Sequence, residues 1–330
     1  MVWGNRPAIA ALLVLACLTS SAGARDLRLA DAYPPGSPTV EAAEYMNALV
    51  RERTQGRHNI EIRPADRDSD NFTIASVRNG TIDMARVNLA GLNSRAPTTI
   101  VPTLPYVFRS TAQMRRILDG PIGEEILASL SSAGLVGLCF QDMGVHAFYS
   151  TTRVIRRADD MRGLMVRVQP AAASVTVVRA LGATPVPMPF DRIQTALQTN
   201  AIDAVDDNWI TYVTAGHFKL AKRYALTKHS MAPGVLVVSK IVWEQLPPPD
   251  RAIIGAAAKE SVARMHANFD AAELDARRKA EEAAVEVIED VDRKSFADVL
   301  VPLYPALLGD PKLLDMVKRI RADDEVAHKP

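Results

Sequence analysis

Arg167 and the run Asp206, Asp207, Asn208 are the side chains in this sequence best placed to hold a small charged ligand. A planar guanidinium offers a carboxylate two parallel charge-assisted hydrogen bonds. One arginine beside an Asp-Asp-Asn cluster would wall a polar ligand site. Gln169, Trp209, Arg86, Asn88, Asp70 and His146 complete the candidate set.

The elements that must position these groups are legible nearby. Leu164, Val166 and Val168 alternate with other residues, the two-residue period of a strand, and put Arg167 on the face opposite Val166 and Val168. Pro170 ends that strand. Residues 171–181 read as a helix closed by Gly182, and a second helix is expected over 191–199 after the Pro-rich connection 185–189. The strand expected at 201–205 then empties into Asp206, Asp207, Asn208 and Trp209. In open α/β sheets, ligands collect beyond the carboxyl ends of strands.

An internal echo places a second set of polar groups. Residues 77–88, VRNGTIDMARVN, align with residues 197–208, LQTNAIDAVDDN, so that Ile82 meets Ile202, Asp83 meets Asp203 and Asn88 meets Asn208. Each segment is a helix end, a turn residue able to take positive φ (Gly80 or Asn200) and a strand ending in polar side chains. Two similar α/β lobes sharing a cleft would set Arg86 and Asn88 against Asp206, Asp207 and Asn208, and interdomain clefts are favoured binding sites.

The ordered segments LPYVFRS (104–110), GVHAFYS (144–150), RGLMVRVQ (162–169), GATPVPMPFDRIQTALQTNAIDAVDDNW (182–209) and GHFKLAKRYALTKHSMAPGVLVVSK (216–240) resemble the solute-binding proteins of tripartite ATP-independent periplasmic (TRAP) transporters. The resemblance implies an α/β, two-lobed periplasmic-binding-protein-like fold of type II character, each lobe a mixed sheet flanked by helices. Hinge strands and one long helix would join the lobes. It implies delivery of a small organic acid to membrane permease subunits, with Arg167 as the carboxylate-binding arginine. DDNW stands at the family's polar strand end, usually Glu-Asn or Glu-Asn-Asn, and His146 stands where many members carry a second arginine. MARVN, RVQ and the segment from Asn208 to Pro233 are most similar to members that bind sugar acids such as uronates. The departures at 146 and 207 leave open a keto acid, an aromatic acid or a zwitterion with an amine for Asp207. Near a ligand carboxylate, His146 should bind better when protonated, with affinity rising as pH falls from about 8 to about 6.

The remaining features bound the reading. At 330 residues the chain can bury a core in two domains. The expected lobes are 25–147 with 232–272, and 148–231 with 273–330. Lys and Arg number 39 against 38 Asp and Glu, which gives no footprint for nucleic acid or anionic lipid. Arg6, the apolar run 8–18 and Ala22-Gly23-Ala24 form a secretory leader cleaved after Ala24, so the protein is expected in the periplasm. Val14, Leu15 and Ala16 make a poor lipobox before Cys17. Cys139, in the apolar GLVGLCF, reads as a buried inert thiol. Residues 65–71 are rich in Asp, but lack the central Gly and terminal Glu of a calcium loop.

The Gly-poor run from Pro249 to about Glu282 reads as one helix, without the heptad a coiled coil needs. A strand at 285–288 and two helices on the second lobe should follow. His217 and His229 read as structural hydrogen-bond partners, and the six scattered histidines lack metal-ligand spacing. With no GxGxxG, P-loop, GxSxG or HExxH motif, the expectation is a monomeric binding protein, with no cofactor or metal, and not an enzyme.

Overall fold

Runs rich in β-branched residues and leucine set up two sheets. The computed structural model describes residues 24–65, 70–231 and 233–327. The leader with Cys17, and Asp66, Arg67 and Asp68 of the Asp-rich loop, lie outside the described residues.

The first sheet holds β1 (Arg25–Asp31), β2 (His58–Pro64), β3 (Met84–Asn88), β4 (Leu135–Gln141) and β10 (Gly234–Ser239), in the order β2-β1-β3-β10-β4. β1 is parallel to β2 and β3, whereas β10 runs antiparallel between β3 and β4. The second holds β5 (His146–Ser150), β6 (Met165–Val168), β7 (Thr184–Pro187), β8 (Ala204–Asp207), β9 (Arg223–Ser230) and β11 (Glu286–Ile288), in the order β11-β9-β5-β8-β6-β7. GVLVVS is β10 and buried along its whole length, as a strand covered on both faces should be.

The chain crosses between lobes at 142–145 and between β9 and β10, and again within the helix Pro248–Glu282. Ile254, Val262, Met265 and Phe269 of that helix pack in the first lobe's core, and Ala276 and Ala280 in the second's. At 35 residues it is long enough to serve both.

The internal echo is real in three dimensions. Helix Asp70–Arg78 leads through Gly80 (φ 79°) into β3, and helix Ile193–Gln198 leads through Asn200 (φ 56°) into β8. The echoed aspartates do the same work: Asp83 Oδ2 accepts from Arg28 N at 2.9 Å, and Asp203 Oδ2 from Met165 N at 2.8 Å. Each thereby pins the parallel strand beside its own, β1 and β6.

Two boundaries differ from the sequence expectation. His146 and Ala147 already belong to β5 in the second sheet. Tyr304, Leu308, Leu313, Met316, Val317 and Ile320 pack into the core of the first lobe, not the second. Only helix Arg293–Leu300, through Phe296 and Leu300, packs on the second. The reason is surface matching: helix Thr111–Leu118 and its neighbours leave Met114, Ile117 and Leu118 to be covered, and the C-terminal helices bury them. Cys139 is buried, and burial pushes its thiol up to about 12, as an inert core cysteine should behave.

Candidate functional site

The polar groups gather where β6, β8 and β5 end, facing the first lobe. Arg167 is the third of four residues in β6, and only 3% of it is exposed. Its Nε donates to Met188 O at 3.3 Å and its Nη1 lies 3.9 Å from Asp207 Oδ2. Among the described residues its terminal nitrogens make no hydrogen bond. The guanidinium is thus fixed at Nε while its terminal nitrogens stay uncommitted among the described residues.

β8 extends two residues further than the sequence suggests, which separates the two aspartates. Successive strand residues point to opposite faces. Asp207 therefore turns to Arg167, its Oδ1 accepting Asn208 N at 2.8 Å. Asp206 turns to β5 and β9, where its Oδ1 accepts from His146 Nδ1 at 2.7 Å. His229 Nε2 lies 3.3 Å from the same oxygen, too poorly aligned for a hydrogen bond. Its ring stacks on Phe148 at 4.3 Å, and its Nδ1 is 2.9 Å from Thr227 Oγ1. Burial alone would lower the pKa of His146, but the Asp206 carboxylate outweighs it and holds the imidazolium above its ordinary value. Burial likewise opposes ionisation of Asp206, yet His146 and His229 keep its carboxyl well below the usual range.

Across the cleft, Asn88 Nδ2 donates to Gln169 Oε1 at 3.4 Å, joining the lobes directly. Arg86 does not face the acidic cluster. Asp31 takes it through two bonds, Nε to Oδ2 at 2.8 Å and Nη2 to Oδ1 at 2.7 Å, while its Nη1 reaches Met143 Sδ at 3.0 Å. The guanidinium lies 4.5 Å over the Tyr33 ring. Asp70, at the start of its helix, is close enough to help hold the Arg86 charge. Asn208 caps the helix Trp209–Thr214 through Thr211 N at 2.8 Å and donates to Met143 O at 2.9 Å, so it ties the second lobe to the first crossing. Trp209 is a core residue, stacked at 3.6 Å on Tyr224. His217 meets the structural expectation through Tyr149 Oη at 2.7 Å.

The sequence reading missed Asp31, Met143 and His229 as parts of this region. Nothing local marks them: Asp31 ends β1, beside β3, and His229 arrives through an irregularity in the β5–β9 ladder near Lys228 (φ 45°). Two shallow hollows lie at the hinge, around Arg115, Asp142, His266 and Glu273, and neither is lined by Arg167. Asp142 and Asp270 already occupy Arg115, so that cluster reads as a hinge brace.

Residues 29–309 match the family described as bacterial extracellular solute-binding protein, family 7 (DctP). A TRAP periplasmic solute-binding protein from Xanthobacter autotrophicus Py2, solved with bound β-D-galacturonate, is 42% identical with a TM-score of 0.85, over 90% of this chain and 99% of its own. One from Chromohalobacter salexigens with bound D-glucuronate is 29% identical with a TM-score of 0.84, over 89% of this chain and 98% of its own. The 2,3-diketo-L-gulonate-binding periplasmic protein YiaO of Escherichia coli is 31% identical over 86% of each chain. The relatives are transport solute-binding proteins, not enzymes. With the match running from β1 almost to the last helix, this chain belongs to family 7 of the bacterial extracellular solute-binding proteins, the solute receptors of TRAP transport.

Proposed function

We propose that this protein captures a sugar acid of the hexuronate kind in the cleft between its sheets and delivers it, in the periplasm, to a TRAP membrane permease. The observation that carries the reading is Arg167: nearly fully buried, fixed by Met188 O, with terminal nitrogens free of hydrogen bonds among the described residues. A carboxylate would complete it with two parallel bonds. Asp207 Oδ2, Asn88 and Gln169 stand beside it as partners for hydroxyl groups. The galacturonate and glucuronate bound in relatives of the same fold support that ligand class. The cleft between lobes joined at 142–145, between β9 and β10 and by the long helix suits closure over a small solute.

Titration calorimetry of the mature protein with D-galacturonate and D-glucuronate tests the proposal. Saturable one-to-one binding of at least one is expected. Binding of neither, with uptake of a keto acid, aromatic acid or amino acid in the same assay, would overturn it.

A further inference from the structure

Among the described residues, the cleft region holds the cations Arg86, His146 and Arg167, and two of them are already spent inside the protein. Arg86 on β3 is clasped by Asp31 through two hydrogen bonds of 2.7 and 2.8 Å, with both groups nearly fully buried. His146 on β5 donates to Asp206 at 2.7 Å, and His229 stands 3.3 Å from the same carboxylate. Arg167 alone has no carboxylate within hydrogen-bonding distance, since Asp207 stops 3.9 Å away. Among the described residues, Asp207 on β8 is the anion that faces Arg167.

A ligand with one carboxylate can place it on Arg167 and turn neutral hydroxyls toward Asp207, Asn88 and Gln169. A ligand with a second carboxylate finds no unpaired cation for it among the described residues named above. That charge would be desolvated near Asp207, and burying an unpaired charge is strongly unfavourable.

We infer that the cleft accepts sugar acids with a single carboxylate and rejects the corresponding dicarboxylates, and that Asp207 sets this limit. The inference rests on the hexuronate reading and deepens it. Asp207 acts in two ways. Its Oδ2 accepts from a ligand hydroxyl, and its charge repels an anion at the same position. The pairing Arg86–Asp31 matters equally, because it withdraws a first-lobe guanidinium that could have served a second carboxylate.

The test compares D-galacturonate with its hexaric acid, whose C1 is a second carboxylate and which cannot close the uronate's hemiacetal ring, so the change of ratio in Asp207→Asn reads the charge separately from the shape. Both are titrated calorimetrically at pH 8 into the wild type and Asp207→Asn. The asparagine keeps the acceptor for Asn208 N, and thermal melting of each protein checks folding. The wild type should prefer the hexuronate by about tenfold or more, equivalent to ~1.4 kcal/mol. Asp207→Asn should weaken hexuronate binding and strengthen hexarate binding, so that the ratio falls several-fold. Equal affinity of the wild type for both acids would overturn this inference while leaving the hexuronate reading intact. So would an unchanged ratio in Asp207→Asn. If the wild type binds neither acid, the hexuronate reading fails, and this inference fails with it.

Discussion

Arg167 Nη1 and Asp207 Oδ2 face each other at 3.9 Å from adjacent parallel strands, near enough to share a field and too far to share a proton. Hydrogen bonds between such groups close at 2.7–2.9 Å, so the pair leaves the guanidinium available. Replacing Arg167 by Ala should cost about 2–5 kcal/mol of binding, because the ligand carboxylate would be buried without its partner. Arg167→Lys should recover only part of that, since an ammonium cannot form the two-pronged contact. Calorimetry with a hexuronate would show the order wild type, lysine, alanine; equal affinities would remove Arg167 from the site.

His146 and Asp206 make a pH-dependent contribution to stability. The folded pKa of His146 lies above its unfolded value near ~6.5. Its share of the stability is therefore complete below about pH 6.5 and is lost as pH rises through the raised value. The folded pKa of Asp206 lies below its unfolded value near ~3.9. Its share is complete above about pH 3.9 and fades as pH falls toward the depressed value. Urea unfolding of wild type and His146→Gln should differ most between about pH 4 and 6.5, and the gap should narrow toward pH 9. A pH-independent gap would mean that the pair carries no charge.

Gly144 sits at φ 87°, and a Cβ there would lie 2.7 Å from Asn208 Cβ. Gly36, at φ 81°, has nothing within 4 Å. Both positions disfavour a side chain by backbone strain of about 1–3 kcal/mol, but only at 144 would it push apart the hinge segment and the second lobe. Gly144→Ala should therefore lower the melting temperature more than Gly36→Ala and weaken ligand binding as well. Equal effects of the two substitutions would show that the contact with Asn208 is not constraining.

The C-terminal helix belongs to the first lobe through Leu313, Met316, Val317 and Ile320. Ile320→Ala, at a fully buried site, should cost about 2–5 kcal/mol. Faster amide exchange should appear in helix Thr111–Leu118, which it covers, more than in the second sheet. Faster exchange confined to β5 and β8 would contradict the packing described.

The sequence by itself determined the local elements and the candidate anchor. Two-residue alternation put Arg167 in a strand, opposite Val166 and Val168. The Gly80 and Asn200 turns, both with positive φ, marked the repeated helix-turn-strand unit, because left-handed turn residues and strand periods are properties of neighbouring residues. The long helix was legible for the same reason. Only the tertiary structure decided which cation each carboxylate takes. Asp31 and Arg86 are 55 residues apart, and His146 and Asp206 are 60 apart. Strand order and register bring them together, and neither is written in local periodicity. That pairing withdrew Arg86, turned Asp206 toward His146 and left Arg167 without a carboxylate at hydrogen-bonding distance among the described residues, as the proposed site requires. Tertiary packing also drew the last helices to the first lobe, where exposed core residues needed cover, because apolar burial follows surfaces that form only once the chain has folded.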